Sequence, residues 1–218
     1  MSKSAATRAL LERAGILPVV TVADVDQGLG SARALHAGGL QAIEITLRSE
    51  AALAALRAIK AELPGLAVGL GTVMNASQIA EAQQAGADFL VSPGTSPRLA
   101  SAFADCELPC IPGAATPSEI IALMELGFDC VKLFPAAALG GMKRVKALAG
   151  PFPGLALCPT GGIGEGEAAA YLAEANVLAV GGSWMVPSEW LASGRFDQVQ
   201  ASAERARRLI DAARSRER

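Results

Sequence analysis

At 218 residues the chain fits one α/β barrel domain more easily than two small ones, and its formal net charge of −2 gives no reason to expect nucleic acid or an anionic membrane as a partner. Hydrophobic residues make up 51% and charged residues only 18%, yet no uninterrupted apolar run approaches the ~18 residues of a membrane span. A single histidine and four cysteines without CxxC spacing leave a zinc site almost nothing to build on.

The stretch Met1-Ser2-Lys3-Ser4-Ala5 has no apolar signal core, so a cytoplasmic, reducing location is expected. Residues 5–14 read as a helix preceding the first strand. Short β-type runs then recur at 17–22, 42–47, 67–73, 89–93, 110–114, 130–135, 156–160 and 177–181, each followed by an Ala/Leu/Glu-rich helical stretch. Their starts are about 20 to 26 residues apart, room for a strand, a turn, a helix and a return turn. Buried, non-alternating strands in this rhythm predict a single (β/α)8 TIM barrel over 1–218 with an extra N-terminal helix. Residues 196–214 read as the closing helix, and no linker divides the chain. An open doubly wound sheet is the alternative, but no GxGxxG follows the first strand.

Glycines at Ala37-Gly38, Ala85-Gly86 and Leu126-Gly127 are expected to supply left-handed C-caps. His36, just before the first of these, reads as a solvated or dipole-capping residue at a helix end. Cys130 and Cys158 lie in apolar strand contexts and read as buried free thiols.

Strand parity selects the candidate chemistry, because a barrel's active site lies at the carboxyl ends of its strands. In the second strand Ile43, Ile45 and Leu47 take the helix side, leaving Glu44, Thr46 and Arg48 toward the axis. In the sixth, Val131 and Leu133 take the helix side, leaving Lys132 and Phe134 inward. A lysine among such neighbours is desolvated, which favours the neutral, nucleophilic amine. A lysine snorkelling off an edge strand, or a Glu44–Lys132 pair serving only to fix the barrel, is the plainer explanation. Around the pair, Arg48 can hold a carboxylate in a fork, and Thr72 and Thr160 stand at strand ends. The last two loops read Thr160-Gly161-Gly162-Ile163-Gly164 and Gly181-Gly182-Ser183-Trp184. Either glycine pair alone is an ordinary turn, but this pair of loops is where barrels often hold a phosphate.

Taken together, Glu44-Ile45-Thr46-Leu47-Arg48, Gly69-Leu70-Gly71-Thr72-Val73, Val91-Ser92-Pro93-Gly94, Ile111-Pro112-Gly113, Lys132-Leu133-Phe134-Pro135-Ala136, Cys158-Pro159-Thr160-Gly161-Gly162-Ile163 and Gly181-Gly182-Ser183-Trp184 resemble the 2-keto-3-deoxy-6-phosphogluconate (KDPG) and 4-hydroxy-2-oxoglutarate (KHG) aldolases. The resemblance implies a class I aldolase of the Entner–Doudoroff pathway, free of metal and cofactor and typically a homotrimer. It makes Lys132 the Schiff-base lysine and Glu44 the general acid/base. Arg48 and Thr72 hold the pyruvate carboxylate, Pro93 and Phe134 line the pocket, and Thr160 bears on stereochemistry at the new carbinol. Gly161, Gly162, Gly182 and Ser183 take the phosphate. The implied partner is a phosphorylated 2-keto acid or pyruvate, with side activity on KHG; an aldolase for the galactonate epimer shares the logic. Ala136-Ala137-Ala138-Leu139-Gly140-Gly141 departs from relatives that often carry a glutamate and an asparagine there.

Overall fold

The computed structural model describes residues 2–215. In its first half α1 (Lys3–Ala14) leads into β1 (Ile16–Val20), α2 (Val25–Ala37), β2 (Ala42–Thr46), α3 (Ala52–Glu62), β3 (Ala67–Gly71), α4 (Ala76–Ala85), β4 (Phe89–Val91) and α5 (Pro97–Asp105). There follow β5 (Cys110–Ile111), β6 (Gly113–Ala114), α6 (Pro117–Glu125), β7 (Cys130–Leu133), α7 (Met142–Ala149), β8 (Ala156–Pro159), α8 (Glu165–Leu172), β9 (Val180–Gly182), α9 (Ser188–Ala192) and α10 (Phe196–Ser215).

The strands pair in parallel and curl around a common interior, helices outside. One sheet runs β5-β4-β3-β2-β1-β9 and another β6-β7-β8. Isolated bridges, Leu157↔Val177 and Thr160↔Gly181, link β8 to the segment around β9. The ladder of β9 thus starts at Val180, later than the expected 177, because it forms against β1 and meets β8 only at those two points.

The run expected as one strand over 110–114 is divided at Pro112, which has no N–H for a ladder. Its carbonyl still accepts from the Lys132 backbone N–H at 2.9 Å. Beside the break, the buried Ser92 hydroxyl accepts from Gly113 N–H at 3.0 Å, and Thr95 Oγ1 donates to Gly113 O at 2.9 Å. Side chains of the Ser92–Thr95 loop here replace missing strand-to-strand bonds.

Parity divides the core. Ile43, Ile45, Val131 and Leu133 belong to the large cluster between strands and helices, with the half-buried Leu47 packed against it. A smaller inner cluster gathers Leu17, Ala42, Ala67, Phe89, Val91, Ile111, Cys130, Ala156 and Cys158. Leu10, Leu11 and Ala14 of α1 join this inner cluster, so the N-terminal helix plugs one end of it. The plug is pinned by polar contacts: Ser2 caps the helix, Lys3 Nζ reaches the Phe103 and Ala104 carbonyls in the last turn of α5, and Arg8 pairs with Asp129 at 3.1 Å.

Gly86 and Gly127 adopt the left-handed cap conformation (φ +83° and +84°), but Gly38 does not (φ −73°). There the left-handed residue is Gly39 (φ +91°). Gly38 is needed for a different reason: a Cβ would run into the Ala203 side chain of α10. His36 is exposed in the last turn of α2, as expected. The short helix α9 was not anticipated from the sequence pattern.

Leu11 is fully buried in the plug. Leu11→Ala should lower unfolding stability by about 2–5 kcal/mol, seen as an earlier urea midpoint; an unchanged midpoint would show that α1 does not hold the inner core.

Candidate active site

Glu44 on β2 and Lys132 on β7 meet inside the curled strands. Lys132 Nζ lies 3.1 Å from Glu44 Oε1 and 3.3 Å from Oε2, and the residues are 4% and 1% exposed. A strand-end lysine snorkelling into water is therefore ruled out. The Phe134 ring centroid lies 5.5 Å from Nζ, a cation–π distance.

Room for the pair is made by residues without side chains. A Cβ on Gly71 would collide with the Glu44 carboxylate, and one on Gly69 with the Phe89 ring beneath it. Gly181 leaves space in the same way for the Thr160 side chain, whose hydroxyl donates to the Cys158 carbonyl at 3.1 Å. Inward positions of β3 and β9 are thus vacated so that their neighbours can fill the interior.

Above Lys132 opens a cavity of about 330 Å³ lined by Val19, Thr21, Arg48, Lys132, Phe134, Thr160, Gly161, Gly162, Ile163, Gly182, Ser183, Val186, Pro187 and Ser188. Arg48 is exposed and, among the described residues, makes no salt bridge or side-chain hydrogen bond, so its fork faces the cavity unspent. At the other side lie the two glycine loops and the start of α9. Gly161 and Gly162 have positive φ (+98° and +76°), and side chains there would press on Phe134 and Ala137. A Cβ on Gly182 would strike the Trp184 ring. Packing alone requires all three to be glycine, and the same bareness leaves backbone N–H groups accessible to an anion.

Three expected site residues, Glu44, Pro93 and Thr72, are not among those lining the cavity, and Glu44 reaches it through its contact with Lys132. Pro93 is half-buried in the loop after β4, its backbone against Gly113. Thr72 follows β3 with φ +62°, the one non-glycine with positive φ among the described residues. A β-branched residue held there is strained, and such strain collects at functional sites. The segment 136–141 forms the turn before α7, where Ala136 and Ala137 N–H groups donate to Thr160 and Gly161 carbonyls at 2.8 and 3.0 Å. Among the described residues no three His, Cys, Asp or Glu side chains cluster as metal ligands would, and no helix is long and apolar enough to cross a membrane.

A family model described as KDPG and KHG aldolase matches residues 7–202. The chain belongs to this aldolase family. The KHG/KDPG aldolase of Escherichia coli K12 is 43% identical over 197 residues, covering 90% of this chain and 92% of that protein. The KDPG aldolase of Legionella pneumophila, solved with pyruvate captured at low pH as a covalent carbinolamine intermediate, superposes with a TM-score of 0.88 at 36% identity, covering 91% of this chain and 96% of the other. That of Zymomonas mobilis ZM4, solved with 3-phosphoglycerate, gives a TM-score of 0.89 at 36% identity, covering 93% and 95%.

Within this cavity, sequence reading missed Val19 of β1, Thr21 just after it, Ile163 and the Val186–Ser188 stretch. Thr21 was within reach, since it is another threonine at a strand end, the criterion that selected Thr72 and Thr160. The contribution of 186–188 depends on α9, too short to leave a periodic signal.

All four cysteines are free and buried. Burial pushes the Cys158 thiol up to about 11 and Cys130 up to about 12, and raises Cys110 further. The folded aldolase therefore keeps protons that its unfolded chain loses above about pH 8.5. Stability is full below that pH and falls as pH rises toward the folded-state values, by up to about 1.4 kcal/mol per unit for each thiol. Urea midpoints measured between about pH 8 and 10 should decline accordingly; a level midpoint would contradict the assignment.

Proposed function

We propose that this chain is a class I aldolase that reversibly cleaves KDPG to pyruvate and glyceraldehyde 3-phosphate through a covalent intermediate on Lys132, with KHG, cleaved to pyruvate and glyoxylate, as a second substrate. The observation that carries the reading is the Lys132–Glu44 contact at the floor of a cavity with a free arginine on one side and bare glycine loops on the other. The Cys158-Pro159-Thr160-Gly161-Gly162 word favours the gluconate over the galactonate substrate.

Lys132 paired as an ammonium has no lone pair to offer. Passing one proton to Glu44 frees it, and the amine attacks the C2 carbonyl to give a carbinolamine. Glu44 returns the proton to the departing hydroxyl, water leaves, and an iminium remains on Nζ. The Glu44 carboxylate then takes the C4 hydroxyl proton; the C3–C4 bond breaks, its electrons pass into the iminium, and C4 departs as the aldehyde. Protonation of the enamine at C3 by the same carboxyl and hydrolysis of the new iminium release pyruvate and Lys132. The lysine supplies the electron sink, so the scheme calls for no metal or cofactor.

Arg48 and Thr72 hold the substrate carboxylate, with Pro93 and Phe134 as pocket wall. Thr160 stands where it biases the configuration at C4. Gly161, Gly162, Gly182 and Ser183 hold the phosphate, whose remote binding energy orients the bond to be broken. The parallel pairings and the two β8 bridges support closure as a single-domain (β/α)8 barrel over 1–218. The low charged fraction supports a homotrimer, and the pathway chemistry a cytoplasmic location.

Incubation with pyruvate followed by borohydride should leave one reduced adduct on the peptide carrying Lys132. No adduct, or an adduct on Lys3, Lys60, Lys143 or Lys146, would overturn the reading. Gly71→Ala tests the partner: the new methyl displaces the Glu44 carboxylate while Lys132 and Glu44 both keep their identity. Cleavage should slow by on the order of 10²–10⁴ while the far-UV circular dichroism spectrum at the assay temperature stays that of the parent, and unaffected cleavage would remove Glu44 from the mechanism.

A further inference from the structure

We infer that Thr21 is a substrate-binding residue, donating a hydrogen bond to the hydroxyl next to the phosphate-bearing carbon in the aldehyde half of the substrate, and that Thr46 orients it. The two hydroxyls are 2.8 Å apart, and either could donate. Burial settles the direction. Thr46 is fully buried, and Thr21 Oγ1 is its one hydrogen-bond partner among the described residues. If Thr46 accepted, its own proton would be left buried without an acceptor, a costly arrangement. Thr46 therefore donates, which occupies a lone pair of Thr21 and leaves the Thr21 proton pointing elsewhere. Thr21 is exposed and lines the cavity, so that proton is available to a ligand there.

Strand order says which ligand atom it meets. β1 lies between β2, which leads to Arg48, and β9, which ends at Gly182 beside Ser183. Thr21 thus stands between the carboxylate grip and the phosphate grip, a placement that rests on the function proposed above. Between those ends the substrate offers C3, which carries no hydroxyl, and C4, whose hydroxyl belongs to Glu44 and Thr160. The C5 hydroxyl, which becomes the α-hydroxyl of glyceraldehyde 3-phosphate, is the group left for Thr21.

The test compares aldol addition of pyruvate to glyceraldehyde 3-phosphate and to its 2-deoxy analogue, 3-oxopropyl phosphate. Thr21→Val should lose roughly three- to tenfold in kcat/KM with the hydroxylated aldehyde and almost nothing with the deoxy one. Thr21→Ser should behave as the parent does, and Thr46→Val should show a smaller loss confined to the hydroxylated aldehyde. Equal losses on both aldehydes, or none, for Thr21→Val would overturn the inference. No effect of Thr46→Val on the ratio would overturn the orienting role. A parent enzyme that condenses neither aldehyde would sink the aldolase reading, and the inference with it.

Discussion

The Lys132–Glu44 pair is the constraint around which the interior is arranged. Each ion loses several kcal/mol of hydration on burial, and their attraction returns that only with good geometry. As a device for stability, an apolar pair of similar volume would serve as well or better. What the pair needs is space at one height of a narrow strand-walled interior, and neighbouring strands give up their side chains to provide it. Gly71 clears the Glu44 carboxylate, while Gly69 lets Phe89 seal the layer below. The charged layer therefore rests on a floor of aromatic and aliphatic groups.

That floor depends in turn on the other end of the molecule. The inner cluster is too small to shield itself, and α1 closes it with Leu10, Leu11 and Ala14. With one end plugged, the cavity beside the pair opens at the other, where Arg48, Thr160 and the glycine loops stand. Packing at the base and polarity at the rim are thus one arrangement: the closed end keeps the interior dry, and the open end determines what enters.

Much of this was legible in the residues. Alternation in Glu44-Ile45-Thr46-Leu47-Arg48 and around Lys132 placed both charges inward, and the fold follows that parity. Strand and helix positions were close, because buried β-branched runs and Ala/Leu/Glu-rich stretches carry strong local signals. Other features depended on what lies across space. The use of Gly69, Gly71 and Gly181 as clearances appears only beside Phe89, Glu44 and Thr160. Gly38 read as a helix cap, although its smallness serves packing by α10. The break at Pro112 follows from the missing N–H, yet the Ser92–Thr95 loop that compensates is distant in sequence. Pro93 came from word resemblance and Thr72 from its place at a strand end; the backbone strain at Thr72 is an independent mark that no sequence pattern carries.

The same pair bears on how catalysis avoids a large electrostatic rearrangement. With Lys132 as the proposed covalent centre, the resting pair sets one positive and one negative group a hydrogen bond apart. Forming the iminium releases neutral water and leaves one positive charge on the same nitrogen, facing the same carboxylate. When the C3–C4 bond breaks, the C4 hydroxyl proton neutralises Glu44 as the electrons neutralise the iminium, so both charges vanish together. At no step does an unpaired ion remain in the dry layer, the most expensive state such a site could visit. The substrate's own carboxylate is the exception, since it arrives as an extra negative charge. Arg48, exposed at the cavity wall and unspent on any protein acceptor among the described residues, is the group proposed above to balance it.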